Sequence, residues 1–137
     1  MTLNRRTAGV CALALVALAE TASAAAWWRV SGAREPDRIM PKIISASLAP
    51  GASDSSMVFH HDNCVGRVFV CGAKGVYIEV RAHLQPDTSF AYVFGGFQSE
   101  RDMVVIPLTE YQWVSVKATN RTSVSKHVGV DVAEWCY

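Results

Sequence analysis

The sequence has no block of like charges, no apolar run long enough to span a membrane, and no segment with a sustained helical period. Lys+Arg number 13 and Asp+Glu 12 in 137 residues, so no basic stripe is available to hold DNA, RNA or anionic lipid. Nucleic acid is therefore not an expected partner. A charged fraction of 18% beside a hydrophobic fraction of 50% excludes a disordered chain and a charged coiled coil. Internal repeats, low-complexity tracts and interdomain linkers are also missing, and the length suits one domain. The sequence contains no G-x-S-x-G elbow, H-E-x-x-H, P-loop or G-x-G-x-x-G. Its glutamates are scattered, and nothing marks two of them as a glycosidase pair. No cofactor is implied, and nothing positive points to an enzyme.

The N-terminus reads as a secretory signal peptide over residues 1–24. Arg5 and Arg6 supply the positive region, Ala8 to Ala19 an apolar run, and Ala22-Ser23-Ala24 the small-x-small cleavage pattern. A transmembrane anchor needs about twenty apolar residues, and this run stops at Glu20. Cleavage leaves a single β-rich domain over residues 25–137, secreted or periplasmic, with no transmembrane segment. Its acidic and basic residues balance, because Arg5, Arg6 and Glu20 leave with the leader.

That domain is written in period two. Val76, Ile78, Val80, Ala82 and Leu84 alternate with Tyr77, Glu79, Arg81 and His83. Successive side chains of a strand point to opposite faces, so this pattern suits a half-buried antiparallel strand. Val114, Val116 and Ala118 alternate in the same way, as do Val128, Val130 and Val132. Met103–Leu108 is apolar on both sides, and its Pro107 belongs on an edge strand or near a strand end. Candidate strands fall at about 27–31, 42–49, 57–61, 67–71, 75–84, 89–94, 103–108, 112–119 and 126–136. The segment Gly72–Gly75 reads as a hairpin connection, Gly95-Gly96 as a turn, and Arg34–Met40 as a helical turn. Short strands with turns every ten or so residues predict an all-β antiparallel sandwich of about seven to eight strands. The expected form is immunoglobulin-like or jelly-roll-like, with a small β-barrel as the alternative.

Three cysteines remain after processing, Cys64, Cys71 and Cys136, and an oxidising compartment makes a disulfide the expected state. Cys136 shares parity with Val128, Val130 and Val132, so it should face the core. A bond from Cys136 to Cys71 is preferred, with Cys64 as the alternative partner. It would close a loop of about 65–72 residues and contribute ~4 kcal/mol. Three is odd, so one cysteine is left over, and oligomerisation through it is open.

Phe59-His60-His61-Asp62-Asn63-Cys64 is the densest polar stretch. His60, His61 and Asp62 are the candidate metal ligands, since imidazole and carboxylate suit zinc or copper. Adjacent strand residues face opposite ways, and no C-x2-C or H-x3-H spacing is present, so a solvated surface loop is the favoured reading. Tyr77 and Trp113 are out of phase with their valine neighbours, and the loop at Gly95–Glu100 carries Phe97. These three are the candidate binding residues, because aromatics among polar groups suit a recognition surface. Asn120-Arg121-Thr122 matches the N-glycosylation pattern, but no glycan is predicted there.

Together these features predict an exported, non-enzymatic module that binds a protein or glycan partner through an exposed aromatic and polar surface. The alternatives are a small periplasmic metal-binding protein using His60 and His61, and a secreted hydrolase whose site is assembled from scattered residues.

Overall fold

The computed structural model describes residues 34–61, 64–87, 91–108 and 113–136. The segment expected to be a leader and the strand expected at 27–31 lie outside them. Nine strands form among the described residues: β1 (Arg38–Leu48), β2 (Ser53–Ser55), β3 (Phe59–His60), β4 (Cys64–Cys71), β5 (Val76–His83), β6 (Ala91–Gln98), β7 (Met103–Leu108), β8 (Trp113–Asn120) and β9 (Lys126–Cys136). One sheet has the order β1-β9-β4-β7. The other has the order β2-β8-β5-β6, with β3 also paired to β8. Every described pairing is antiparallel. The two sheets pack as a sandwich and do not close into a barrel.

The period-two pattern produces this arrangement directly. Val76, Ile78 and Val80 of β5 and Val114, Val116 and Ala118 of β8 are fully buried. They face Val68 and Val70 of β4 and Val128, Val130 and Val132 of β9 in one continuous core. Sheets stacked about 10 Å apart leave room for interdigitated valines of this size. Leu84, expected on the same inward row, lies beyond the end of β5 and is exposed. Pro107 sits in β7, an edge strand, where its missing N–H costs no ladder bond.

Four other expectations are corrected. Gly72–Gly75 is not a hairpin, because β4 and β5 belong to different sheets. The chain instead turns over the end of the sandwich and tucks Ala73, fully buried, into the core. Gly72 has φ of 73°, and a side chain there would run into the carbonyl of His127. The helical turn expected at Arg34–Met40 gives way to strand from Arg38 onward, since Arg38, Ile39 and Met40 pair with Glu134, Ala133 and Val132. Pro41 then interrupts the ladder, and the register shifts between Met40 and Ile44 around Lys42, whose φ is 54°. Gly95-Gly96 is no turn either. Both lie within β6, at a register shift opposite Val80 and Arg81.

The fourth correction concerns the disulfide. Cys136 bonds to Cys64, not to Cys71, with a sequence separation of 72 residues. β4 begins at Cys64 rather than at residue 67, which sets Cys64 directly opposite Cys136 with Cα atoms 4.0 Å apart. Cys71 pairs in register with Gly129, about 23 Å along the strand, and its odd parity turns it to the other face. Among the described residues no cysteine is free. A disulfide of this kind fits an oxidising, extracytoplasmic environment.

Candidate functional site

The outer face of the five-stranded sheet carries the densest set of chemically active side chains. Tyr77, Glu79, Arg81 and His83 project from β5, beside Trp113, Ser115, Lys117 and Thr119 of the adjacent β8. The register pairs Tyr77 with Thr119, Glu79 with Lys117, Arg81 with Ser115, and His83 with Trp113. Arg81 donates from Nε and Nη2 to Glu79 Oε1 at 3.1 and 2.7 Å. The Arg121 guanidinium lies 3.9 Å from the Tyr77 ring centroid. The Tyr77 hydroxyl fills the place where a side chain at Gly96 would stand, which explains that glycine on the neighbouring strand.

At the other end of this face, β3 brings His60 against Trp113, with ring centroids 4.6 Å apart and planes tilted by 50°. His83 Nε2 and Ser115 Oγ are 2.8 Å apart, and both side chains are buried. These are the atoms of a base and a hydroxyl nucleophile, but here they tie β5 to β8 beneath the surface.

A second cluster lies inside the same end of the sandwich. Glu134 continues the inward row of Val128, Val130 and Val132, and it is fully buried. Its Oε2 is 2.6 Å from His61 Nδ1, and its Oε1 accepts a 2.6 Å bond from Arg38 Nε. Arg38 also donates from Nη2 to the His60 carbonyl at 2.9 Å. A carboxylate in such a place needs paired donors, because an uncompensated buried charge is costly. Burial pushes the Glu134 carboxyl up, but the hydrogen bonds from His61 and Arg38 outweigh it and hold it below the usual glutamate range. Because Glu134 accepts at Nδ1, that nitrogen carries the ring proton, while His61 Nε2 is buried with no hydrogen-bond partner among the described residues. Gly66 stands opposite Glu134, and a Cβ there would come within 2.6 Å of His61 Cε1. The imidazole thus occupies the space that glycine leaves.

The residues expected to act together are placed as follows. Tyr77 and Trp113 share the outer face, separated by about six residues of strand, or ~20 Å. Phe97 pairs with inward-facing Ile78, so it belongs to the opposite side of β6, where it is partly exposed. His60 and His61 are not brought together: one lies against Trp113 outside, the other on Glu134 inside. Asp62 lies outside the described residues. No group of three His, Cys, Asp or Glu side chains suited to a metal ion occurs among the described residues. The His61–Glu134–Arg38 cluster escaped sequence reasoning, and the available signal was the parity of an acid with the core valines of β9. Asn120, the acceptor of the glycosylation pattern, is fully buried. It donates from Nδ2 to Leu48 O at 2.9 Å and to Val124 O at 2.8 Å.

No protein-family model matches the chain, and no curated protein matches it significantly.

Proposed function

We propose that the chain is an exported, non-enzymatic binding module that recognises a protein partner through the outer face of its five-stranded sheet. The observation that carries this reading is the pairing of two adjacent columns on central strands, which leaves Tyr77, Glu79 and Arg81 of β5 beside Trp113, Lys117 and Thr119 of β8 partly exposed on one face, with His83 and Ser115 buried among them. Such a surface offers aromatic area for burial, with charges and hydroxyls beside it to orient a partner. Export is supported by the order of Arg5-Arg6, the apolar run and Ala22-Ser23-Ala24, and by the disulfide.

A protein partner is favoured over a glycan. Sugar rings stack on open aromatic faces, whereas the Tyr77 ring is already covered by Arg121 and the Trp113 ring meets His60. Arginine and tyrosine in contact on a sheet are typical anchors of protein interfaces. A hydrolase would have to start from His83 and Ser115, and their side chains are too deeply placed to meet a substrate carbonyl unless the face opens.

The test is affinity capture from the envelope and culture medium of the producing cell. Wild-type protein is run beside Tyr77→Ala and Trp113→Ala variants whose circular dichroism matches wild type. A protein retained by wild type and lost with either variant supports the reading. Retention of polysaccharide instead, or of the same protein by all three baits, contradicts it.

A further inference from the structure

Among the described residues, three of the four sheet edges are blunted. β1 carries Pro41 and a register shift around Lys42, and β7 carries Pro107. β2 and β3, beside β8, have only three and two residues. Proline, bulges, lysine and short length are the usual guards against pairing with another chain. The fourth edge, β6, is eight residues long, Ala91-Tyr92-Val93-Phe94-Gly95-Gly96-Phe97-Gln98, with no charge and no proline. It is open to solvent. Tyr92, Val93 and Phe97 are 44%, 47% and 38% exposed, and so is Gly96, whose surface is all backbone.

β6 has one irregularity, which changes what it can pair with. Val93 stands opposite Arg81 and Gly95 opposite Val80, so one extra residue is inserted between them. Before this bulge, Ala91 and Val93 pair with His83 and Arg81 of the outer column, and Tyr92 with inward-facing Ala82. After it, Gly96 and Gln98 pair with Glu79 and Tyr77 of the outer column, and Phe97 with inward-facing Ile78. From either end, then, the strand runs outer, inner, outer toward its middle. Directly opposite residues of an antiparallel pair share a face, and residues five apart in an uninterrupted strand do not. The bulge puts Tyr92 and Phe97, five apart, on one face. A second β6 in antiparallel register then sets Ala91 opposite Gln98, Tyr92 opposite Phe97 and Val93 opposite Gly96, each pair occurring twice.

We infer that β6 pairs antiparallel with β6 of a second copy of this chain, about a two-fold axis between residues 94 and 95, and joins the two five-stranded sheets into one. Two-fold pairing sets a strand against itself, so any charge on β6 would meet its own copy, and β6 has none. The two Tyr92–Phe97 pairs supply cross-strand aromatic contacts, and Gly96 leaves room for Val93 across the seam. A bulge in one strand alone blunts an edge. Here the halves on either side of it match, which makes it the centre of a symmetric pair. A foreign strand would find the same backbone groups, but its recognition would not require the two halves of β6 to match. The association uses the strand edge and leaves the columns of β5 and β8 to a partner.

The test is sedimentation equilibrium of the purified protein at concentrations up to about 1 mM, where even a weak dimer is populated. It should show a monomer–dimer equilibrium. Val93→Lys, a charge at the open edge, should weaken the association about tenfold or more. Met57→Lys, at an 83% exposed position between β2 and β3 on the far side of the same sheet, should leave it unchanged. In a mixture of labelled and unlabelled copies, nuclear Overhauser contacts between molecules should join the Val93 methyls to the Gly96 α-protons and the Tyr92 ring to the Phe97 ring. Three results would overturn the inference: a monomer throughout the concentration range, a dimer that folded Val93→Lys does not weaken, or contacts between molecules confined to another surface. If Val93→Lys fails to fold, the contacts in the unsubstituted protein still decide.

Discussion

His61 and Glu134 meet through a 2.6 Å hydrogen bond between side chains that are both almost entirely removed from solvent. They are 73 residues apart in sequence, so the contact links the entry of β4 to the last strand of the fold. Arg38 completes the cluster from β1, and the Cys64–Cys136 disulfide lies one inward position beyond it. This end of the sandwich is therefore held by an ion cluster and a covalent bond. The valine-rich middle is held by apolar packing and the antiparallel strand ladders.

Gly66 is the most exacting position in this cluster. Gly66→Ala would push a methyl group against the His61 ring and to 3.0 Å from Leu108 Cδ1. Overpacking of this kind costs about 1–3 kcal/mol. A Gly129→Ala control on β9, where a Cβ meets nothing within 4 Å, should stay within about 1 kcal/mol of wild type. Urea midpoints of the two variants make the comparison.

Acid should find the same cluster. Glu134 titrates below its ordinary 4.5 in the folded chain, so its stabilising contribution is present above that pH. The contribution is lost as pH falls from about 4.5 through the lowered folded value. Unfolding free energy measured between pH 6 and pH 3 should fall steeply at the acid end, and Glu134→Gln should flatten that fall. Glu134→Ala at neutral pH should cost about 3 kcal/mol, because it leaves His61 buried without its partner.

The disulfide gives a third expectation. Non-reducing peptide mapping should recover Cys64 joined to Cys136. Cys136→Ser should lower stability by about 2–4 kcal/mol, or several degrees in Tm, since the bond closes a loop of 72 residues and pins the terminal strand. A variant with unchanged Tm would show that the ion cluster holds β9 by itself.

The strands were legible in the sequence because alternation of valine with polar residues leaves little freedom of assignment. Met103–Leu108 appears with its expected bounds, and Lys126–Cys136 likewise. What local pattern does not encode is which sheet a strand joins. Gly72–Gly75 suits a hairpin and an arch between sheets equally well, and burial of Ala73 decides for the arch. The disulfide partner is hidden for a related reason. Asn63 and Gly66 read as breakers and suggest a strand that starts at residue 67, whereas β4 runs through Gly66 from Cys64. The outer-face columns of Tyr77 and Trp113 follow from parity, but their alignment depends on the β5–β8 register. His61 on Glu134 was not legible, because a pairing over 73 residues leaves no spacing to read.

The central claim is recognition through the outer face of the five-stranded sheet. Its most direct measurement is a calorimetric titration of the captured protein partner against wild type, Trp113→Ala, Arg81→Ala and a Val65→Ala control on the opposite sheet. The account predicts that Trp113→Ala and Arg81→Ala each weaken Kd by about tenfold or more, the scale of a 1.4 kcal/mol interface anchor, while Val65→Ala leaves it unchanged. Loss of binding with Val65→Ala, with Trp113→Ala and Arg81→Ala unaffected, would contradict it.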